Sequence, residues 1–359
     1  MTEANHLKKK SEKCIFLIAV VLLLLLTAVV TAILSLSKKP PVSQTVFGLD
    51  TVCTITLYEW SGDGDQLLTE AFALCHHYET MLSTTVSESD IFKINHSHGK
   101  PVTVSPETAA LLTDALTYCQ MSGGKFDVTV YPVKQLWDFS GNSSVLPNRD
   151  ALNRALRLVN YREVLIDGNS VTLPNGYGID LGAIAKGFIT DKIAAYLQSR
   201  HVSSAVIDLG GNIRVIGTKP DGHDWNVGIQ RPFDSDSIAT VQTADKAVVT
   251  SGIYQRYFTS EGRIYHHILD PATGMPCDTG LSSVTIVAPS AKQADALSTV
   301  CMLLGYEESC RLLQDFPNVQ AYFITRDIKI LSPEMQLLSP EMNRKNPQLL
   351  KELRVLTIT

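Results

Sequence analysis

The sequence is poor in the features that announce several common functions. Beyond its N-terminus it has no lysine- or arginine-dense stretch, and its formal net charge is −5, which argues against nucleic acid as a partner. A small molecule or a protein is the better substrate class. Its seven cysteines form no C-x-x-C pair. Cys75 and Cys119 fall on apolar helical stripes and read as buried thiols. A disulfide among Cys53, Cys277, Cys301 and Cys310 stays open outside the cytoplasm, although a chain of 359 residues does not need one. No Walker loop and no dinucleotide G-x-G-x-x-G is present.

Charge is also missing from Cys14 to Ser37, where Ile15 to Leu34 is almost wholly apolar and long enough to cross a hydrocarbon core of about 30 Å. Lys8, Lys9, Lys10 and Lys13 precede this run, and only Lys38 and Lys39 follow closely. That bias puts the N-terminus in the cytoplasm and the rest outside. The apolar region is long for a signal peptide, and Ala28 to Ala32 is a poor small-x-small site, so an uncleaved anchor is favoured. No cysteine follows the run at a lipobox position, since Cys14 lies before it, so a lipid-modified N-terminus has no support. The organisation expected is a cytoplasmic segment 1–13, a transmembrane signal-anchor 14–37, a Pro40-Pro41 spacer 38–44, a folded domain 45–331 and a tail 332–359.

Strand and helix signals alternate through the folded domain. Val46 to Tyr58 reads as one β-branched strand, followed by a helix striped by Leu67, Leu68, Ala71, Phe72, Cys75, Tyr78 and Leu82. Ser105 and Pro106 open a second helix, and another is expected from Ala185 to Gln198. Strands are expected near 164–166, 171–173, 204–208, 213–216, 225–230, 239–243, 247–250 and 265–269. The pattern is α+β.

Several segments carry candidate chemistry. Ser290 to Gln293 is a capping box, which places Asp295 in the first turns of a helix, with Ser298 and Thr299 on the same face. One carboxylate and two hydroxyls make a hard-oxygen set suited to magnesium, whose shell is commonly completed by substrate phosphates. A solvated helix face explains the same spacing equally well. Ile179 to Gly187 runs from strand through glycine turn to helix, where backbone groups meet a ligand and Lys186 can face a phosphate or water. His267 precedes the Asp270-Pro271-Ala272-Thr273-Gly274 turn, as a functional or merely satisfied histidine. Gly123 to Asp127 combines a flexible turn with Lys125, an aromatic and a carboxylate. His96 and His98 form a His-x-His pair with no third ligand in sight.

Taken together, these segments resemble the FAD:protein FMN transferase (ApbE) family from about Phe47 to Leu331. The likeness rests on Asp50-Thr51-Val52, Gly124 to Asp127, Asp180 to Gly187, Asp208 to Asn212, Thr250-Ser251-Gly252, His267 to Gly274 and Ala294 to Thr299. It implies an ApbE-like, T-fold-related α+β domain of mixed sheets packed with helices. It also implies magnesium held by the Ala183 carbonyl, Asp295 and Thr299, with Ser298 adding an oxygen in some members. FAD contacts carry over to Leu49, Lys125, Phe126, Asp127, Asp180, Lys186, His267 and Ile268. At Thr85 the family often has an aromatic that packs on the flavin, so the stacking surface is missing there unless Phe126 or another ring supplies it. The implied reaction splits FAD and joins FMN to a threonine of an extracytoplasmic flavoprotein, releasing AMP, with His267 or Asp295 taking the proton. A magnesium-dependent FAD pyrophosphatase and a non-catalytic flavin-binding protein are the alternatives.

Overall fold

The computed structural model describes residues 17–27, 39–139 and 145–332. The chain separates into two units, Met1–Pro41 and Val42–Thr359. In the first, residues 17–27 form helix α1, whose leucines are largely exposed. Among the described residues no helix is long and apolar enough to cross a membrane. The remainder of the expected anchor, the segment 1–13 and nearly all of the tail lie outside the described residues.

The second unit begins with β1 (Val42–Gly48), β2 (Thr51–Glu59), α2 (Gly64–Leu82), α3 (Asp90–Asn95), β3 (Val102–Thr103), α4 (Pro106–Met121), α5 (Tyr131–Lys134) and α6 (Arg149–Leu156). Then come β4 (Leu165–Asp167), β5 (Ser170–Thr172), α7 (Ala185–Ser199), β6 (Ser204–Leu209), β7 (Asn212–Ile216), β8 (Trp225–Gln230), β9 (Ser237–Thr243) and β10 (Ala247–Gly252). The described residues end with β11 (Tyr257–Ser260), β12 (Arg263–His266), β13 (Leu281–Ala288), α8 (Ala291–Leu304), α9 (Tyr306–Leu312), β14 (Gln320–Thr325) and β15 (Ile330–Leu331).

Eight strands form one sheet in the order β1-β2-β6-β7-β10-β13-β14-β15. Its pairings are antiparallel, so the fold is α+β as expected, but this sheet is not mixed. One face carries α2, α7 and α8 over the main core, in which Ile55, Ile207, Val249 and Ile286 meet Leu68, Ile193 and Leu297. Against the other face the β8–β9 hairpin packs Trp225, Val227, Ile229 and Val241 onto Val215, Val248, Val287 and Ile324. Every residue of β13 is buried because both its faces are covered. A smaller aromatic cluster, Trp137 with Phe258 and Tyr265, is pinned to the 270–274 turn by the Trp137 indole N–H donating to the Gly274 carbonyl at 3.0 Å.

Two expected strands are shorter than the sequence suggests. Val46 to Tyr58 is a hairpin rather than one strand, because Leu49 and Asp50 adopt φ of 53° and 56° and reverse the chain. Positive φ at both central residues is the twist a two-residue hairpin loop requires, although neither residue is glycine. The Glu79 carboxylate steadies this turn by accepting the Leu49 N–H at 2.7 Å. The strand expected at 265–269 stops at His266, one residue short of a last ladder contact from the His267 N–H to the Arg256 carbonyl at 3.1 Å.

The six described cysteines are free, and burial pushes the thiols of Cys75, Cys119, Cys277 and Cys301 up to about 12. They behave as small apolar side chains. His96 bonds its Nδ1 to the Phe92 carbonyl at 2.8 Å and stacks on the Phe92 ring.

Candidate active site

The turn from Asp180 to Gly187 is the hub of the site. It enters α7 without a side-chain cap of its own, so the first amides of the helix need partners from elsewhere. The N–H of Gly187 finds one in Asp295 Oδ2 on α8, at 2.8 Å. That bond draws the two helices so close that a Cβ on residue 187 would lie 2.2 Å from the Ala291 carbonyl oxygen and 2.7 Å from Asp295 Cβ. Only glycine fits the crossing. As one of the first amides of α7, the Gly187 N–H has no intrahelical acceptor, and Asp295 supplies the one it lacks.

Asp295 is 4% exposed, and burial raises its carboxyl above the usual carboxylate range against the opposing pull of the Lys186 charge and the Gly187 N–H. The fully buried Asn212 amide on β7 also favours the charged form, yet neither of its side-chain polar atoms has a hydrogen bond of ordinary geometry. Ser251 on β10 completes the cluster, with its hydroxyl 2.7 Å from Ser298 Oγ and 3.1 Å from Thr299 Oγ1. Ser298 is fully buried and donates to the Asp295 carbonyl at 2.9 Å; Thr299 is half-buried and its matching contact is 3.4 Å. Thr299 is therefore the hydroxyl better able to turn toward a ligand.

Among the described residues no group of three or more His, Cys, Asp or Glu converges to hold a metal. The donors here are of another kind: one carboxylate with an oxygen to spare and a half-buried hydroxyl, to which the family resemblance adds the Ala183 carbonyl. Such a set suits a hard cation that keeps water or substrate oxygens in its shell. The raised carboxyl and the unsatisfied Asn212 amide fit a magnesium ion, because both mark a buried polar spot short of a partner.

At the other end of the turn Asp180 is complete. Its Oδ2 meets Lys134 Nζ at 2.5 Å and its Oδ1 accepts the Gly182 N–H at 2.8 Å. Burial alone would raise its carboxyl, but the Lys134 charge and hydrogen bond, the Gly182 N–H and the Arg256 charge hold it below the usual range. Arg256 also approaches Asp50 at 3.8 Å, and its carbonyl accepts from His267 Nδ1 at 3.2 Å. Since a carbonyl only accepts, Nδ1 carries the proton and Nε2 is left as the basic nitrogen. Burial pushes His267 down to about 3, with the charges of Arg256 and Lys134 adding to the effect, so the ring is neutral at physiological pH. The neighbouring His266 is buried and bonded through Nε2 to the Cys277 carbonyl at 3.1 Å.

The remaining candidates scatter. Lys125 is exposed and lies 3.9 Å from Asp270, whose Oδ1 caps the turn by accepting the Ala272 N–H. Ile268 is buried behind it. Phe126 is 3% exposed and belongs to the main core, so it presents no exposed ring face in place of the aromatic missing at Thr85. Thr85 itself is exposed and bonded to Ser83. Asp127 is buried, with both oxygens accepting from Thr129 and the Tyr161 N–H, and burial raises its carboxyl. Lys134, Arg256 and Glu79 have no local motif that marks them; Asn212 and Ser251 sit inside recognisable motifs but gain a role only from the fold.

The family model described as the ApbE family matches residues 49–323. The FAD:protein FMN transferase of Treponema pallidum (strain Nichols) is 39% identical over 79% of this chain and 84% of its own length. A Klebsiella pneumoniae (strain 342) protein of that name is 34% identical over 75% of this chain and 86% of its own. Among solved structures, the ApbE protein of Thermotoga maritima superposes with a TM-score of 0.76 at 32% identity, over 83% of this chain and 98% of that one. The flavin transferase ApbE of Vibrio cholerae gives 0.73 at 29% identity, over 81% and 96%. With the model match spanning most of the chain and the fold shared with these structures, the chain belongs to the ApbE family.

Proposed function

We propose that this chain is a magnesium-dependent FAD:protein FMN transferase, which cleaves FAD and attaches FMN through a phosphoester to a threonine of an extracytoplasmic flavoprotein, releasing AMP. The observation that carries the reading is Asp295: a buried carboxylate bonded to the Gly187 amide, with no ion pair to a cationic side chain among the described residues, and one helical turn before Thr299, whose hydroxyl lies 3.4 Å from the Asp295 carbonyl. Asp295 and Thr299, with the Ala183 carbonyl that the family resemblance assigns, would hold the metal. Magnesium bound there supplies Lewis-acid polarisation of the pyrophosphate oxygens and eases departure of AMP.

The chain's own residues do the rest. Lys186, whose charge is felt by both Asp295 and Asp208, adds positive potential where phosphate charge develops. The start of α7 presents backbone amides to the same anion. Asp180, locked by Lys134, holds the turn in shape. His267 takes the proton of the incoming threonine through Nε2, since Asp295 is already engaged by Gly187 and the cation. Its depressed basicity leaves positioning and charge as the larger part of the rate enhancement.

In this reading the N-terminal apolar run is a single-pass anchor that keeps the catalytic domain outside the cell membrane. Supporting it are the uncharged stretch from Cys14 to Ser37 and the lysines before it. The test incubates the full-length chain in detergent with FAD, magnesium and a candidate extracytoplasmic acceptor domain. An acceptor mass gain of one FMN with equal AMP is expected; AMP without a mass gain identifies hydrolysis, and FAD binding without either product identifies a carrier.

A further inference from the structure

Helices α7 and α8 are fastened to each other twice, in opposite senses. Asp295 on α8 accepts the Gly187 N–H at the start of α7. Asp191 on α7 in turn accepts at the start of α8, from the Ala291 N–H at 2.8 Å, the Lys292 N–H at 3.0 Å and the Ser290 hydroxyl at 2.6 Å. Ser290, with its hydrogen donated to Asp191, uses the oxygen to accept the Gln293 N–H at 3.2 Å. Each helix therefore borrows its N-terminal cap from the other. The capping box legible in the sequence is only part of this arrangement, because Asp191 lies about a hundred residues earlier.

The geometry matters because the cation oxygens are divided between the two helices. The Ala183 carbonyl precedes α7, whereas Asp295 and Thr299 ride on α8. Where Gly187 touches Ala291 the spacing is fixed against compression, since the backbones are already in contact. Against separation or rotation the restraints are the hydrogen bonds of Asp295 and Asp191. When Asp295 shares its charge with a cation, the Asp191 bonds are those that the cation does not draw upon.

We propose that Asp191 is a positioning residue for the magnesium site, holding the start of α8 so that Asp295 and Thr299 stay in register with the Ala183 carbonyl. This rests on the metal reading given above. Asp191 touches neither metal nor substrate; its charge is felt by Asp295, and its hydrogen bonds act through the helix.

The test titrates magnesium chloride into the full-length chain in detergent by calorimetry, for wild type, Asp191→Ala and Asp191→Asn, with metal-free melting curves beside each. Asp191→Ala is expected to weaken magnesium binding about tenfold, at the lower end of what supporting residues around metal sites contribute. Asp191→Asn, which keeps one acceptor oxygen, is expected to weaken it less. The KM for FAD at saturating magnesium should stay within about twofold in both. A lower melting temperature with unchanged magnesium affinity would make Asp191 a structural cap only and overturn the inference. Should Asp191→Ala not fold, unchanged affinity in Asp191→Asn overturns it equally. No magnesium uptake by wild type would overturn the metal reading and the inference with it.

Discussion

The Asp180–Gly187 turn has an aspartate against each end, Asp180 largely and Asp295 almost fully buried, and the two are opposites. Asp180 has a lysine in contact and a carboxyl held below the usual range; Asp295 has no cation in contact among the described residues and a carboxyl raised above it. Both are carboxylates removed from water beside backbone amides of the same turn. What differs is whether the protein itself provides the compensating charge. Where it does, the ion pair is part of the architecture. Where it does not, the proposed site takes its compensating charge from outside, and on that reading the difference separates scaffold from chemistry within a single short segment.

The sharpest way to break this comparison is Asp295→Asn. Loss of the carboxylate should reduce AMP release about a thousandfold, the scale of charge stabilisation that a Lewis-acid metal supplies. The same variant should melt no lower than wild type in metal-free buffer at neutral pH. Asp295 titrates above its unfolded value, so its ionisation opposes folding as pH rises from about 4 through the raised value, and asparagine removes that opposition. Retained turnover in magnesium would remove the site assignment.

Next in size is Gly187→Ala, whose methyl must displace the Ala291 backbone. A loss of about 2–3 kcal/mol in unfolding free energy is expected, measured by denaturant titration. Wild-type stability would mean that the helix crossing is looser than described. Lys134→Met should cost about 1–2 kcal/mol by leaving Asp180 with fewer partners. Because Asp180 titrates below its unfolded value, the contribution is present in full above about pH 4 and is lost as pH falls through the folded value. The gap between wild type and variant should therefore close in acid. A gap that widened would reverse the roles assigned to the two aspartates. The smallest effect is expected for Thr299→Val, a rise of about tenfold in the magnesium half-saturation of turnover with little change in melting temperature.

Much of the site was legible because its residues travel in short local motifs. Asp295, Ser298 and Thr299 share a helix face that the capping box at Ser290 predicts, and α8 begins there. The Asp270 turn was equally plain from its Asp-Pro and Gly. The compensating residues were not: Lys134 reaches Asp180 across 46 positions, and Arg256 serves Asp50 and His267 from a segment with no pattern of its own. Periodicity also fails where burial is two-sided. The run Leu281 to Ala288 lacks the alternation of a half-exposed strand, and its serines lower its apparent hydrophobicity, yet it is a central strand. At Leu49 and Asp50 the β-branched pattern continues on both sides of a turn that carries no glycine at its centre.

The bond between Gly187 and Asp295 joins residues 108 positions apart. A ribosome delivers the first long before the second, so a growing or truncated chain can own the whole Asp180–Gly187 turn, the Lys134 pair and even His267 while lacking every side chain offered to the cation. Competence is thereby deferred to the last helices of the domain. On the proposed reading, a chain without α8 lacks the side chains assigned to the metal and would not cleave FAD.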